Sequence, residues 1–264
     1  MGERGRVGTG SGAVPQNGAC VAGITSTVEF ASQSSLGVAF ERVEKRYGGL
    51  LALCRVTLRI EPGEFVTLFG PNGSGKTTLL RMAALLVRPS AGSVAHPGAE
   101  GLALEDVRRQ IGLVGHKALV YDELTAQENL NFFAKLYGIE NPGERVAQVL
   151  DSVGLGKRAG DAAATFSRGM RQRLPIARAL ITEPRLLLFD EPATGLDRQG
   201  RDWLEATLDG LHRAGATLVV STHDETFSAI SGRSVWLQAG RVVDDTAGQS
   251  SPAAPVEPEV RGGR

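Results

Sequence analysis

Two short stretches carry residue types that could act on a phosphate. Residues 70–78 read GPNGSGKTT and residues 186–191 read LLLFDE. The first fits G-x-x-x-x-G-K-[ST], with an apolar FVTLF run (65–69) before it and a helix expected from about Lys76 to Val87 after it. Gly70, Gly73 and Gly75, with Asn72 and Ser74 between them, let backbone N–H groups point inward at phosphate oxygens, and the positive end of the helix adds to the attraction. Lys76 would neutralise charge on the β- and γ-phosphates. The Thr77 hydroxyl suits Mg²⁺, and Thr78 completes the cradle. Asp190, at the carboxyl end of an apolar strand, could hold Mg²⁺ through water, and Glu191 beside it could polarise an attacking water as general base. A glycine-rich turn or an acidic strand end is commonly plain structure. The two together, each in a strand context, favour phosphoryl chemistry.

The elements that would position these groups follow from periodicity. VAFERVEKRY (38–47) alternates imperfectly, whereas LCRVTLRI puts Val56, Leu58 and Ile60 on one face at period two. EPGEF turns the chain into FVTLF, a run suited to a strand buried on both faces. Pro89 and Gly92 would stop the first helix. The middle, about 102–168, reads as helical: Val146, Val149, Leu150 and Val153 form one face at i, i+3, i+4 and i+7. Then come a strand over 185–190, a helix near 198–213, a strand TLVVST (217–222) and a short strand pair around Gly240. Residues 1–36 and 246–264 are rich in small and polar residues and read as disordered tails, leaving 37–245 as the folded domain.

Composition narrows the function classes. With 29 Lys+Arg against 29 Asp+Glu, the formal net charge is zero, so no overall basic field would hold a nucleic-acid backbone. The two cysteines, Cys20 and Cys54, are too few for a disulfide framework and fit a reduced cytosolic setting. No apolar run approaches the roughly 18 residues of a spanning helix, and the N-terminus has no apolar core of a signal peptide.

Further motifs carry a family resemblance. From Val38 to about Val243 the chain resembles the ATP-binding subunit of an ABC transporter. TFSRGMRQR (165–173) is similar to the family signature, usually Leu-Ser-Gly-Gly-Gln: Ser167 and Gly169 match, while Phe166, Arg168 and Met170 depart. PATGLDRQG (192–200) resembles the loop that carries the dimer contact, with Asp197 as its acid. His223 in STHD matches the switch histidine that contacts the γ-phosphate, and Tyr47 in KRYGG the aromatic that stacks on adenine. The resemblance implies an α/β fold, a P-loop NTPase core of the ABC ATPase type, with an N-terminal antiparallel β-subdomain and a helical insertion. It implies ATP and Mg²⁺ as ligands, a second ATP-binding subunit whose Ser167 helix closes the site, and a separate transmembrane permease. The chain would then sit peripherally on the cytoplasmic side of the membrane.

In the segment IGLVGHKALVYDELTAQENL (111–130), His116 stands where most relatives carry the glutamine that touches Mg²⁺ or the lytic water. With FSRGMRQR, this resembles the haem exporter used in cytochrome c maturation. An imidazole keeps one hydrogen bond to such a water. Pro175, about two turns into the signature helix, predicts a kink. Three alternatives stand beside this reading. One is an exporter of another small molecule. Another is a soluble, non-transport ABC ATPase, disfavoured by the single cassette and zero net charge. The third is a regulatory subunit with little hydrolysis, suggested by Arg168 and Pro175.

Overall fold

The computed structural model describes residues 35–115 and 119–247. His116 and nearly all of the two stretches read as tails lie outside the described residues. The folded chain reaches slightly further than expected at both ends: Leu36 is fully buried, and the Thr246 amide donates to the Ser234 carbonyl at 3.0 Å.

Strands β1 (Val38–Tyr47), β2 (Leu50–Ile60) and β4 (Ala91–Ala95) form an antiparallel sheet in the order β2-β1-β4. Val43, Val56, Leu58 and Ile60 bury one face of it, and register shifts in β1 break the alternation there. A second sheet of six strands has the order β5-β6-β7-β3-β8-β9, with β3 (Phe65–Phe69), β5 (Ile111–Val114), β6 (Leu186–Asp190), β7 (Thr217–Ser221), β8 (Arg233–Gln238) and β9 (Arg241–Asp245). It is parallel except for β9, which runs antiparallel to β8. Every residue of β3, β6 and β7 is buried. This is why these strands read as continuous apolar runs rather than alternating ones. The α/β architecture expected from the sequence, with its antiparallel β-subdomain, is present.

Six α-helices surround the sheets among the described residues: α1 (Lys76–Ala83), α2 (Leu104–Arg109), α3 (Ala126–Leu136), α4 (Pro142–Ser152), α5 (Arg168–Leu180) and α6 (Arg198–Arg213). Helix α3 opens on a capping box in which Thr125 accepts from the Glu128 amide and Glu128 reaches back to the Thr125 amide. Buried Asn129 holds the preceding turn, accepting from the Tyr121 amide at 2.8 Å and donating to the Tyr121 and Leu124 carbonyls. Arg145 of α4 donates to the Leu180 carbonyl at the end of α5. No helix among the described residues is long and apolar enough to cross a membrane.

Two expectations change. Helix α1 ends at Ala83 rather than Val87. Leu85 adopts a left-handed conformation (φ 57°), and the Leu86 amide returns to the Arg81 carbonyl at 2.9 Å. That is a Schellman stop made without glycine. Within 102–168, read as helical, Ile111–Val114 instead forms β5 at the edge of the main sheet, paired with β6 from Ile111↔Leu186 to Val114↔Phe189. Helix α5 is unbroken from Arg168 to Leu180, with Pro175 buried inside it.

Candidate functional site

The glycine-rich loop leaves β3 at the centre of the main sheet and enters α1. Gly75, the N-cap, sits at φ 109°. A Cβ there would come within 2.6 Å of Leu53 and 2.9 Å of the Ala52 carbonyl, so this position needs glycine for both its backbone angle and its neighbours. The Gly240 amide donates to the Ser74 carbonyl at 3.0 Å, pinning the loop to the β8–β9 turn. In α1 the first internal bond runs from the Leu79 amide to the Gly75 carbonyl. The amides of the first turn therefore have no partner within the helix and face the loop as donors. An open cleft of about 290 Å³ lies over them, lined by Tyr47, Leu50, Ala52, residues Pro71 to Thr78, and Glu191.

Lys76 is buried, and its ammonium donates to the Gly70 carbonyl at 2.6 Å. It also stands 3.4 Å from Glu191 Oε1. Buried Asp190, at the end of β6, accepts from the Thr77 hydroxyl at 2.8 Å and from the Ser221 hydroxyl at 2.7 Å. The parallel register that pairs Asp190 with Ser221 sets up the second of these bonds. Ser221 also receives the Glu191 amide, on its carbonyl at 3.0 Å and its hydroxyl at 3.2 Å. Glu191 itself lies at φ 53°, a left-handed conformation unusual for this residue type. The turn aims its carboxylate back toward the loop, where Oε2 lies 2.9 Å from His223 Nδ1. His223 is largely exposed, on the segment leaving β7.

Among the residues singled out from sequence, the fold thus gathers Tyr47, the loop residues 70–78, Asp190, Glu191 and His223. It does not bring Ser167, Gly169 or Asp197 to the cleft lining. Ser167 caps α5 and accepts the Met170 amide at 3.3 Å. Asp197 caps α6 and accepts the Gly200 amide at 2.8 Å. Both are helix starts outside the residues that line the cleft. Ser221 was not anticipated, although a hydroxyl ending the apolar run TLVVS, in register with the acid ending LLLFD, is the signal that could have found it.

A divalent cation fits this arrangement. The Thr77 hydroxyl and the Asp190 carboxylate are hard oxygen donors already in contact, the sparse set of protein ligands from which Mg²⁺ is held together with phosphate oxygens and water.

A family model described as ABC transporter matches residues 53–194. The linearmycin resistance ATP-binding protein LnrL of Bacillus subtilis (strain 168) is 37% identical over 187 residues, which cover 69% of this chain and 60% of that protein. The ABC transporter ATP-binding protein NatA of the same organism is 40% identical over 197 residues, covering 71% of this chain and 78% of NatA. The sulfate/thiosulfate import ATP-binding protein CysA 2 of Chromobacterium violaceum is 39% identical, but the match covers only 55% of it. The chain therefore spans between about half and three quarters of these relatives. Among solved structures, a dimeric post-hydrolysis state of the ATP-binding cassette MJ0796 bound to ADP and Pi superposes with a TM-score of 0.70 at 31% identity, covering 79% of this chain and 97% of that one.

Proposed function

Since the chain belongs to the ABC transporter family, we propose that it is the ATP-binding and ATP-hydrolysing subunit that powers a separate membrane permease. The observation that carries this reading is the Glu191 carboxylate held between Lys76 and His223, beside the Thr77–Asp190 pair, at the floor of the loop cleft. Adenine stacks on Tyr47, and the triphosphate lies along residues 70–78. Phosphate oxygens replace the Gly70 carbonyl and Glu191 as partners of Lys76, which frees the carboxylate. Thr77 and Asp190 would hold Mg²⁺, which would supply positive charge to offset that of the phosphates. Glu191 takes a proton from the attacking water while the bond from the γ-phosphorus to the ADP oxygen breaks, and His223 steadies the γ-phosphate. Residues Ser167, Gly169 and Asp197 lie off this cleft, so they act on nucleotide held by a second copy, and ATP closes the pair.

For the cargo we keep haem for cytochrome c maturation. It is supported by the GH dipeptide, whose His116 lies outside the described residues, and by FSRGMRQR. A second reading, export of another small molecule, is favoured by the likeness to a linearmycin resistance protein. One experiment tests both levels. Glu191→Gln is used to pull down partners from native membranes in ATP. Co-purification of a multi-spanning protein that binds haem supports the full reading. A different permease keeps the subunit and removes haem. Soluble partners alone overturn the transport reading.

A further inference from the structure

Arg168 occupies the first turn of α5, next to the Ser167 cap, at a position where the family signature has glycine. Its side chain is exposed and makes no hydrogen bond or ion pair among the described residues. Its guanidinium nevertheless has a defined seat: it lies against Gly195, where any Cβ would overlap it. Gly195 sits at φ 73°, so its backbone disfavours a side chain, and a Cβ would have to push the end of Arg168 aside. One turn further along α5, Gln172 donates to the Pro192 carbonyl at 2.8 Å. Helix α5 therefore grips residues 192–197 at two points. That segment begins directly after Glu191 and ends at Asp197, the cap of α6.

We propose that Arg168 is a positioning residue that fixes the 192–197 segment to α5, so that nucleotide engaged at Ser167 sets the position of Glu191 in the same chain. The inference rests on the reading given under Proposed function. In it, Ser167 meets nucleotide on one copy while Glu191 serves the nucleotide of its own copy. The seat on Gly195 thus joins the two ATP sites through one side chain. A guanidinium can do this because it is flat and lies against a bare backbone, whereas a lysine ammonium on its flexible stem cannot make the same stack.

The test uses the full chain carrying Arg168→Gly or Arg168→Lys, with Glu191→Gln as control. ATP binding to the isolated subunit and steady-state hydrolysis are both measured. Arg168→Gly should lower kcat about tenfold with ATP affinity unchanged within about twofold, because a displaced base costs rate rather than binding. The Hill coefficient for ATP should fall toward one, and Arg168→Lys should not restore either. Wild-type kcat and cooperativity in Arg168→Gly overturn the inference, as does full recovery in Arg168→Lys, which would assign the role to charge. In nucleotide-free protein, the loss of thermal stability caused by Gly195→Ala should shrink in the Arg168→Gly background. An equal loss in both backgrounds shows that the seat does not exist and also overturns it. A wild type that hydrolyses no faster than Glu191→Gln removes the hydrolysis reading and this inference together.

Discussion

His223 Nδ1 lies 2.9 Å from Glu191 Oε2, and this contact reaches across from the segment after β7 to the residue after β6. Since Glu191 Oε1 faces Lys76 at 3.4 Å, each carboxylate oxygen has a nitrogen neighbour before any nucleotide arrives. The carboxylate is therefore engaged at both oxygens until one neighbour leaves. The phosphates, by drawing Lys76 away, are what would release it.

Glu191→Gln should keep ATP binding and lose hydrolysis by about 10²–10⁴-fold, the usual worth of a general base. ATP should then hold the variant as a dimer on a sizing column. A monomer in ATP, or a rate near wild type, contradicts the assignment.

Lys76→Ala should weaken ATP binding about 10- to 100-fold, since a charge-assisted hydrogen bond contributes roughly 1.5–3 kcal/mol. Equilibrium binding of a fluorescent ATP analogue measures it. The fold should survive, because the lysine's partners here are the Gly70 and Pro71 carbonyls of the loop itself and the edge of Glu191.

Tyr47→Ala should weaken ATP binding roughly three- to tenfold, and Tyr47→Phe should leave it unchanged, if the ring contributes stacking alone. Parallel titrations with ATP and with inorganic triphosphate separate the base from the phosphates. Only ATP should respond.

Ser221→Ala removes the hydroxyl that donates to Asp190 and receives the Glu191 amide. Both ends are buried or half-buried, so the loss should be about 1–3 kcal/mol in urea unfolding. Hydrolysis should fall as well, because the turn that aims Glu191 is anchored on this residue.

His96 is held below its ordinary value of 6.5 by burial, with Nε2 bonded to the Ala83 carbonyl at 2.8 Å. Above 6.5 the ring is neutral in both folded and unfolded chains, and its contribution to stability is complete. As the pH falls through that value the unfolded chain takes up the proton first. Stability then declines until the folded pKa is passed. The melting temperature should therefore drop more steeply below about pH 6.5 in wild type than in His96→Gln, which has no proton to take up.

What was legible in the sequence was what local physics dictates. A strand buried on both faces must be an apolar run, and a backbone cradle for phosphate must be rich in glycine, so β3, β6, β7 and the loop could be read directly. The end of α1 could not. AALLV continues a helical pattern, and only Leu85 in a left-handed conformation halts it. Strand β5 was hidden because IGLV is four residues long and sits between a charged helix and a loop. Its strand character comes from β6, more than 70 residues away in sequence. Strand β4 is mostly exposed, so AGSVA shows no alternation to detect. Ser221 escaped for a similar reason: its importance lies in a register with Asp190 that no local pattern encodes.

The order of strands in the main sheet also bears on how the molecule is made. Among the described residues, strand β3, which launches the phosphate loop, pairs only with β7 and β8, and neither begins before Thr217. A ribosome adding about 5–20 residues each second needs roughly 7–30 s to pass from Phe69 to that point. For that interval the nascent chain holds an apolar strand with no neighbour, and its nucleotide cradle has no support. Newly made protein would therefore bind no nucleotide until most of its length has emerged. A chain truncated before Thr217 would present β3 to chaperones and proteases instead.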